Sequence, residues 1–141
     1  MAKLVGARVY NNANISCARL AQTILTFNSE RYDTDSIHNT STNTDRLTCN
    51  TAGKYIISLS TSFAADTSVM QFNIKLNATT YIARLIRNGT NGSLTSTTVT
   101  TIYDLAVTNY LQVDVYHEAA GALDIGYYAN SSPEFMMHRI G

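Results

Sequence analysis

Apolar and polar side chains alternate along most of this 141-residue chain. Between Met70 and Asn77 the alternation is strict: Met70, Phe72, Ile74 and Leu76 point one way, and Gln71, Asn73, Lys75 and Asn77 the other. Tyr55, Ile57, Leu59, Thr61 and Phe63 share a face opposite Lys54, Ile56, Ser58, Ser60 and Ser62, and within Tyr110–His117 Leu111, Val113 and Val115 oppose Gln112, Asp114 and Tyr116. Period two is the mark of antiparallel strands with one face in a core. Further strands are predicted over Ala7–Asn11, Gln22–Phe27, Asp45–Cys49, Tyr81–Arg87, Thr97–Leu105, Ala122–Tyr128 and Glu134–Ile140. Turns at Thr51-Ala52-Gly53, Asn88-Gly89, Asn91-Gly92 and Ala120-Gly121 separate the segments, because Gly and Asn tolerate positive φ. Pro133 stands where it opens a strand instead of interrupting one. Ala18–Ile24 is the nearest approach to a helical period, and it is short. With no repeat and no linker, about ten short strands predict one all-β domain over residues 1–141, a sandwich or barrel, with residues 1–6 as a short N-terminal arm. An immunoglobulin sandwich would place a tryptophan between two distant cysteines. This chain has no tryptophan, and a jelly roll fits the strand count better.

Composition narrows the functional classes. Charged residues make up 14% of the chain and the formal net charge is zero, against a usual charged fraction of about 25%. Thr, Asn and Ser replace them. A nucleic-acid binder is expected to be basic, so no nucleic-acid partner is expected. No segment reaches the ~20 apolar residues of a membrane span, and MAKLVGARVY lacks the apolar core of a signal peptide. The expectation is a protein made and folded in a cytoplasm.

Candidate chemistry mostly fails on spacing. In LTCNTAGKYII (Leu47–Ile57) a Gly-Lys pair follows a cysteine. A phosphate loop needs a glycine where Thr48 stands and a Ser or Thr where Tyr55 stands. Cys49 carries no signature of a catalytic thiol. Cys17 and Cys49 are either bridged or two small buried thiols. The acidic run Tyr32–Asp45 begins with the spacing of a calcium loop at Asp33 and Asp35, but Ile37, His38 and Thr44 occupy the next ligand, glycine and terminal positions. A looser calcium site from Asp33, Asp35 and Asp45 stays open beside the reading of an exposed, turn-capping loop. His117 and Glu118 adjoin on a strand and so face opposite ways. The scattered histidines and cysteines give no zinc spacing. The tyrosines, Tyr127-Tyr128 among them, fit either stacking on sugar rings or nucleobases or a place at core edges or subunit interfaces. The expectation is therefore no catalytic residue, no metal and no cofactor.

Four blocks, in order, resemble the C1q/tumour-necrosis-factor-like family in its bacterial and bacteriophage branch. They are LTFNSERYDTD (Leu25–Asp35) with RLTCNTAGKYIISLSTSF (Arg46–Phe63), then NATTYIAR (Asn77–Arg84), TIYDLAVTNYLQVDVYHEAAGAL (Thr101–Leu123) and SPEFMMHRIG (Ser132–Gly141). Gly53 and Tyr55 take the positions of a "G-x-Y" that opens a long inner strand. Ala78 stands where the family usually has glycine, and Thr108-Asn109 where Gly-Asp is commoner. The resemblance implies a ten-stranded antiparallel jelly-roll sandwich that assembles as a homotrimer. It points to the final strand and to Tyr110–His117 at the threefold contact, with Tyr116, Phe135, Met136, Met137 and His138 as candidate interface residues. Tyr116 on a nominally polar face, and apolar residues on both faces of the final strand, argue the same way.

Secreted members of the family carry a leader and a collagen-like or coiled-coil stalk. Here Met1 stands a few residues before the first strand, so the expectation is a bare head carried on a virion surface after synthesis in a bacterial host. The function expected is that of a non-enzymatic bacteriophage structural protein, a trimeric capsid decoration (cement) protein. Its expected partners are its own copies and the major capsid protein or another virion protein, with Leu4, Val5 and Val9 on a capsid-facing arm. The alternatives are a receptor-binding tip or short fibre that meets a host-surface glycan, or a bacterial C1q-like carbohydrate- or ligand-binding module.

Overall fold

In the computed structural model, which describes residues 3–90 and 92–141, the alternating segments pair into two antiparallel sheets. The strands in chain order are β1 (Gly6–Tyr10), β2 (Ile15–Cys17), β3 (Thr23–Ile24), β4 (Ser29–Asp33), β5 (Leu47–Thr48), β6 (Gly53–Phe63), β7 (Val69–Leu76), β8 (Thr80–Asn88), β9 (Thr95–Leu105), β10 (Tyr110–His117), β11 (Leu123–Ile125) and β12 (Glu134–Arg139). β6 lies inside the seven-stranded sheet. β9 runs along one edge of β6 for its whole length, and β12 and then β11 share the other. β1 and β4 continue outward from β12, and β2 from β11. The second sheet runs β8-β7-β10, with β3 and β5 side by side on the free edge of β10.

The inward residues of both sheets form one core cluster. From β6 come Tyr55, Ile57, Leu59 and Phe63; from β7, Met70, Phe72 and Ile74; from β10, Leu111, Val113 and Val115, all completely buried. Each such side chain contributes about 1.5–3 kcal/mol by leaving water. Aromatic contacts join the sheets: Phe63 of β6 meets Phe72 of β7 at 5.5 Å and the His117 ring of β10 at 5.6 Å.

Every predicted strand is present, although β3, β5 and β11 shrink to two or three residues. β2 and β4 are additions. β2 is three residues long, too short for a period to register. β4, SERYD, has almost no apolar side chain; its place comes from pairing with β1, across a register irregularity at Arg8/Val9. Met1, Ala2 and Asn91 of the expected arm and Asn91-Gly92 turn lie outside the described residues.

Gly53 opens β6 with φ +151°, and a Cβ there would lie 2.4 Å from the Gly141 carbonyl oxygen. That carbonyl accepts the Lys54 amide at 3.0 Å, so the glycine is required by the close approach of the chain's last residue. Two other turns use less suitable residues. Asn77 and Ala78, between β7 and β8, have φ of +52° and +64°, and Thr108 before β10 has +76°. Ala78 and Thr108 are the two places where the sequence departs from a glycine of the resembled family. An Asn-Gly pair is the favoured two-residue hairpin turn, and a Cβ in the left-handed region costs about 1–2 kcal/mol, offset in part by lower chain entropy when unfolded. Ala78→Gly is therefore expected to stabilise the protein by about 0.5–1 kcal/mol, seen as a melting temperature a few degrees higher.

Candidate interaction face and polar pocket

The outward side of the seven-stranded sheet follows from the same alternation. With Tyr55, Ile57 and Leu59 turned in, β6 shows Ile56, Ser58, Ser60 and Ser62 outward, opposite Ile102, Thr100, Thr98 and Ser96 of β9. None of these eight is charged. The hydroxyls satisfy one another within the sheet, Ser58 with Thr100 at 2.9 Å and Ser62 with Ser96 at 2.7 Å. At one end the strip turns apolar: Ile56 lies between Ile102 and His138, and Ile102 is 57% exposed. Leu4 and Ile140, both well exposed, extend β1 and β12 at that same end. Among the described residues β9 pairs only with β6, so the uncharged strip, bounded beyond Ile56 and Ile102 by the exposed and facing Lys54 and Asp104, lies beside an open strand edge. Single-chain proteins usually guard such edges with charge or cover.

Beyond the strip the face closes on an ion cluster. Glu134 points outward beside Ser60, yet it is only 3% exposed. Arg8 Nε donates to Oε1 at 2.6 Å and Arg31 Nη2 to Oε2 at 2.9 Å. The Arg31 guanidinium lies 3.9 Å above the Tyr10 ring. Burial alone would push the Glu134 carboxyl up, but the hydrogen bonds from Arg31 and Arg8 outweigh it and hold the group below the usual range.

The structure separates the five residues expected at a subunit contact. Met136 and His138 face outward on this sheet, paired with Ser58 and Ile56. Phe135 and Met137 do not: they alternate inward and are completely buried within one chain, which leaves them nothing to offer a second copy. Tyr116 sits on β10, in the other sheet, where its hydroxyl reaches Glu118 at 3.2 Å. The run FMMH carries apolar residues on both faces, and alternation alone cannot tell which face is the core. The arm is corrected in the same way: Val5 and Val9 belong to the core, and only Leu4 is exposed. Ile102 was missing from the expected set. Its signal was an isoleucine within the polar alternation of Thr98, Thr100 and Asp104.

The loop between β4 and β5 folds into a polar pocket of about 540 Å³. Asp33 shapes it by accepting the backbone amides of Asp35, Ile37 and His38 at 3.1, 3.0 and 2.9 Å. His38, with its side chain fully buried, bridges Glu30 (Nδ1, 3.0 Å) and the Thr44 carbonyl (Nε2, 3.1 Å). A neutral ring can donate to only one of them. Asn39, Thr42, Asn43, Arg46 and Thr48 also line the pocket. The three aspartates of the possible calcium site take separate partners: Asp33 these amides, Asp35 Lys3 and Thr51, and Asp45 the Gln112 amide.

The remaining reactive groups are held in structural roles. Cys17 and Cys49 are free and buried. Burial pushes the Cys17 thiol up to about 11 and raises that of Cys49 too, the reverse of an activated nucleophile. His117 is fully buried, with Nε2 on the Cys17 carbonyl at 2.8 Å and Nδ1 accepting the Ala119 amide at 3.1 Å, which assigns the proton to Nε2. On the outer side of the second sheet Asp114 is completely buried. It accepts from Asn73 at 2.7 Å and faces Lys75 at 2.9 Å, while Arg84 donates to Asn73 at 2.8 Å.

No family model matches the chain, and no curated protein matches it. Solved structures do. The chain superposes on Eiger TNF from S. frugiperda with a TM-score of 0.75 at 12% identity, covering 99% of this chain and 94% of that one. It superposes on murine APRIL, in a crystal structure at pH 5.0, with a TM-score of 0.75 at 11% identity, covering 98% and 100%. At such identity the likeness speaks for the fold alone: the chain is an all-β antiparallel sandwich with the jelly-roll architecture of the tumour necrosis factors.

Proposed function

We propose that this chain is a non-enzymatic structural module that assembles as a homotrimer and decorates the surface of a bacteriophage particle, bound to the major capsid protein after synthesis in a bacterial host. The observation that carries the assembly is the uncharged strip on β6 and β9, with exposed Ile102 near one end, beside a β9 edge that has no strand partner among the described residues. An edge and face of this kind are covered most simply by further copies of the same chain, and closed rotational symmetry satisfies all copies at once. The tumour-necrosis-factor architecture supports that reading. The virion reading draws on the ordered resemblance of the four sequence blocks, and on a low charge content suited to a protein held by shape and apolar contact. Three copies on one particle site would bind with the avidity of linked contacts.

Sedimentation or light scattering is expected to give three times the 15.5 kDa mass of the chain. Ile102→Arg puts three unpaired guanidiniums into the contact and is expected to release monomers with unchanged circular dichroism. A monomeric parent protein would sink the assembly reading, and a trimer indifferent to Ile102→Arg would move it to another face. Purified protein is expected to bind expanded capsids that lack it and raise their heat resistance; absence of binding overturns the virion role.

A further inference from the structure

We infer a second interaction surface, on the β8 edge of the second sheet: it takes an extended acidic segment of a partner protein as an added strand. β8 is the last strand on its side of that sheet and pairs only with β7 among the described residues. From Ala83 to Asn88 this pairing is regular, since the register irregularity at Ile74/Lys75 comes before it. The stretch therefore offers a straight row of outward backbone donors and acceptors, the feature by which open sheet edges accept an extended peptide.

Charge decides which strand fits. No aspartate or glutamate occurs in Thr67–Tyr103, a run that holds β7, β8 and most of β9 and carries Lys75, Arg84 and Arg87. Arg84 and Arg87 are exposed and form no ion pair among the described residues. Arg84 Nε donates to Asn73 at 2.8 Å, and its guanidinium lies 4.3 Å from the centre of the Tyr81 ring. Arg87 Nε reaches the neighbouring Asn88 carbonyl at 3.3 Å. The terminal nitrogens of both forks have no partner among the described residues, and such a fork suits a carboxylate. Cross-strand partners share a face. Arg84 stands beside Asn73 on the outer face, and Arg87 beside the buried Met70 on the inner face, at its exposed rim. An added strand thus meets one guanidinium on each face, and two acids three residues apart on that strand also fall on opposite faces. Acids on neighbouring elements are occupied: Asp114 is completely buried against Lys75 and Asn73, Asp66 accepts the Ser68 amide at 2.6 Å, and Glu118 accepts the Tyr116 hydroxyl at 3.2 Å. The two arginines repel the same edge of a second copy, so β8 is closed to its own kind and selects an acidic strand.

The test is an amide-resolved NMR titration of the intact protein with the end-capped peptide Thr-Thr-Glu-Thr-Thr-Glu-Thr-Thr. Its controls are the same peptide with lysine for glutamate, and with proline at alternate threonines. The acidic peptide is expected to shift amides within residues 83–88 with a dissociation constant in the millimolar range or tighter. Binding is expected to be several-fold weaker at about 0.5 M salt than at about 0.05 M. Joint replacement Arg84→Gln and Arg87→Gln, at two exposed positions, is expected to weaken the acidic peptide at least about tenfold, with the spectrum beyond β7 and β8 unchanged. No shift within 83–88, shifts confined to β9, binding indifferent to salt, or equal binding of the lysine peptide overturns the proposal. Undiminished binding of the proline peptide excludes an added strand and overturns it too. A short thymidine oligonucleotide that shifts the same amides at lower concentration than the peptide overturns the protein class of the partner.

Discussion

Glu134→Ala is expected to destabilise the protein by about 2–3 kcal/mol, measured as a lower denaturant midpoint with an unchanged slope. Glu134 is 3% exposed and holds Arg8 and Arg31 at 2.6 and 2.9 Å. Without it two guanidiniums face each other beside Tyr10, and their partly buried donors lose their acceptor. Their remaining exposure, about a third of each side chain, places the loss below the ~3–5 kcal/mol of a fully buried pair. Glu134→Gln keeps an acceptor and is expected to lose less. The same group sets an acid limit. Its carboxyl is held below the usual range by Arg31 and Arg8 against the push of burial. A depressed acid stabilises the fold fully above its ordinary titration, near pH 4.5, and the contribution is lost as the pH falls further through the folded-state value. The parent protein is therefore expected to lose stability below about pH 4.5 by more than Glu134→Ala does. Equal acid sensitivity of the two would show that the cluster is not the responsible group.

Phe63→Ala is the larger perturbation, with an expected loss of about 3–5 kcal/mol. Phe63 ends β6, is completely buried, and meets Phe72 and His117 of the opposite sheet. Truncation removes contacts on both partners at once and leaves a cavity that two paired sheets cannot close. Against a total stability of about 5–15 kcal/mol, the melting temperature should fall by roughly 10–20 °C. Phe63→Leu keeps most of the volume and is expected to cost about 1.5 kcal/mol or less. If alanine proved as mild as leucine, the inter-sheet role assigned to this ring would be wrong.

The sequence was most informative where side chains alternate strictly. β6, β7 and β10 lie within one residue of their expected bounds, because one face of each is fully buried and a one-residue slip would expose it. It was silent where pairing alone makes a strand, as in β4. It misled where both faces of a strand carry the same chemistry. Phe135 and Met137 were indistinguishable from Met136 and His138 until β12 was placed between β1 and β6. Polar faces hid a second ambiguity. Gln112 and Asp114 alternate as solvent-facing residues should, but Lys75 and neighbouring side chains cover them and both are buried. The pocket was legible only as a polar loop. Asp33 has the first spacing of a metal loop but spends its oxygens on backbone amides, while the placing of Arg46 over Tyr110 joins residues 64 positions apart and leaves no local signal.

The pairing of β1 with β12 also has a consequence during biosynthesis. Gly6–Tyr10 must wait for Glu134–Arg139 before either can complete the sheet between β4 and β6. At about 5–20 residues per second the ribosome needs roughly 6–25 s to make the intervening chain. During that interval the N-terminal strand has no neighbour on the β12 side, and the sheet's centre closes only once Glu134–Arg139 has emerged. The junction of β1 with β6 through β12 is thus made late, at the slow pace of long-range strand pairing, and loss of residues 134–141 would deny the first strand its partner.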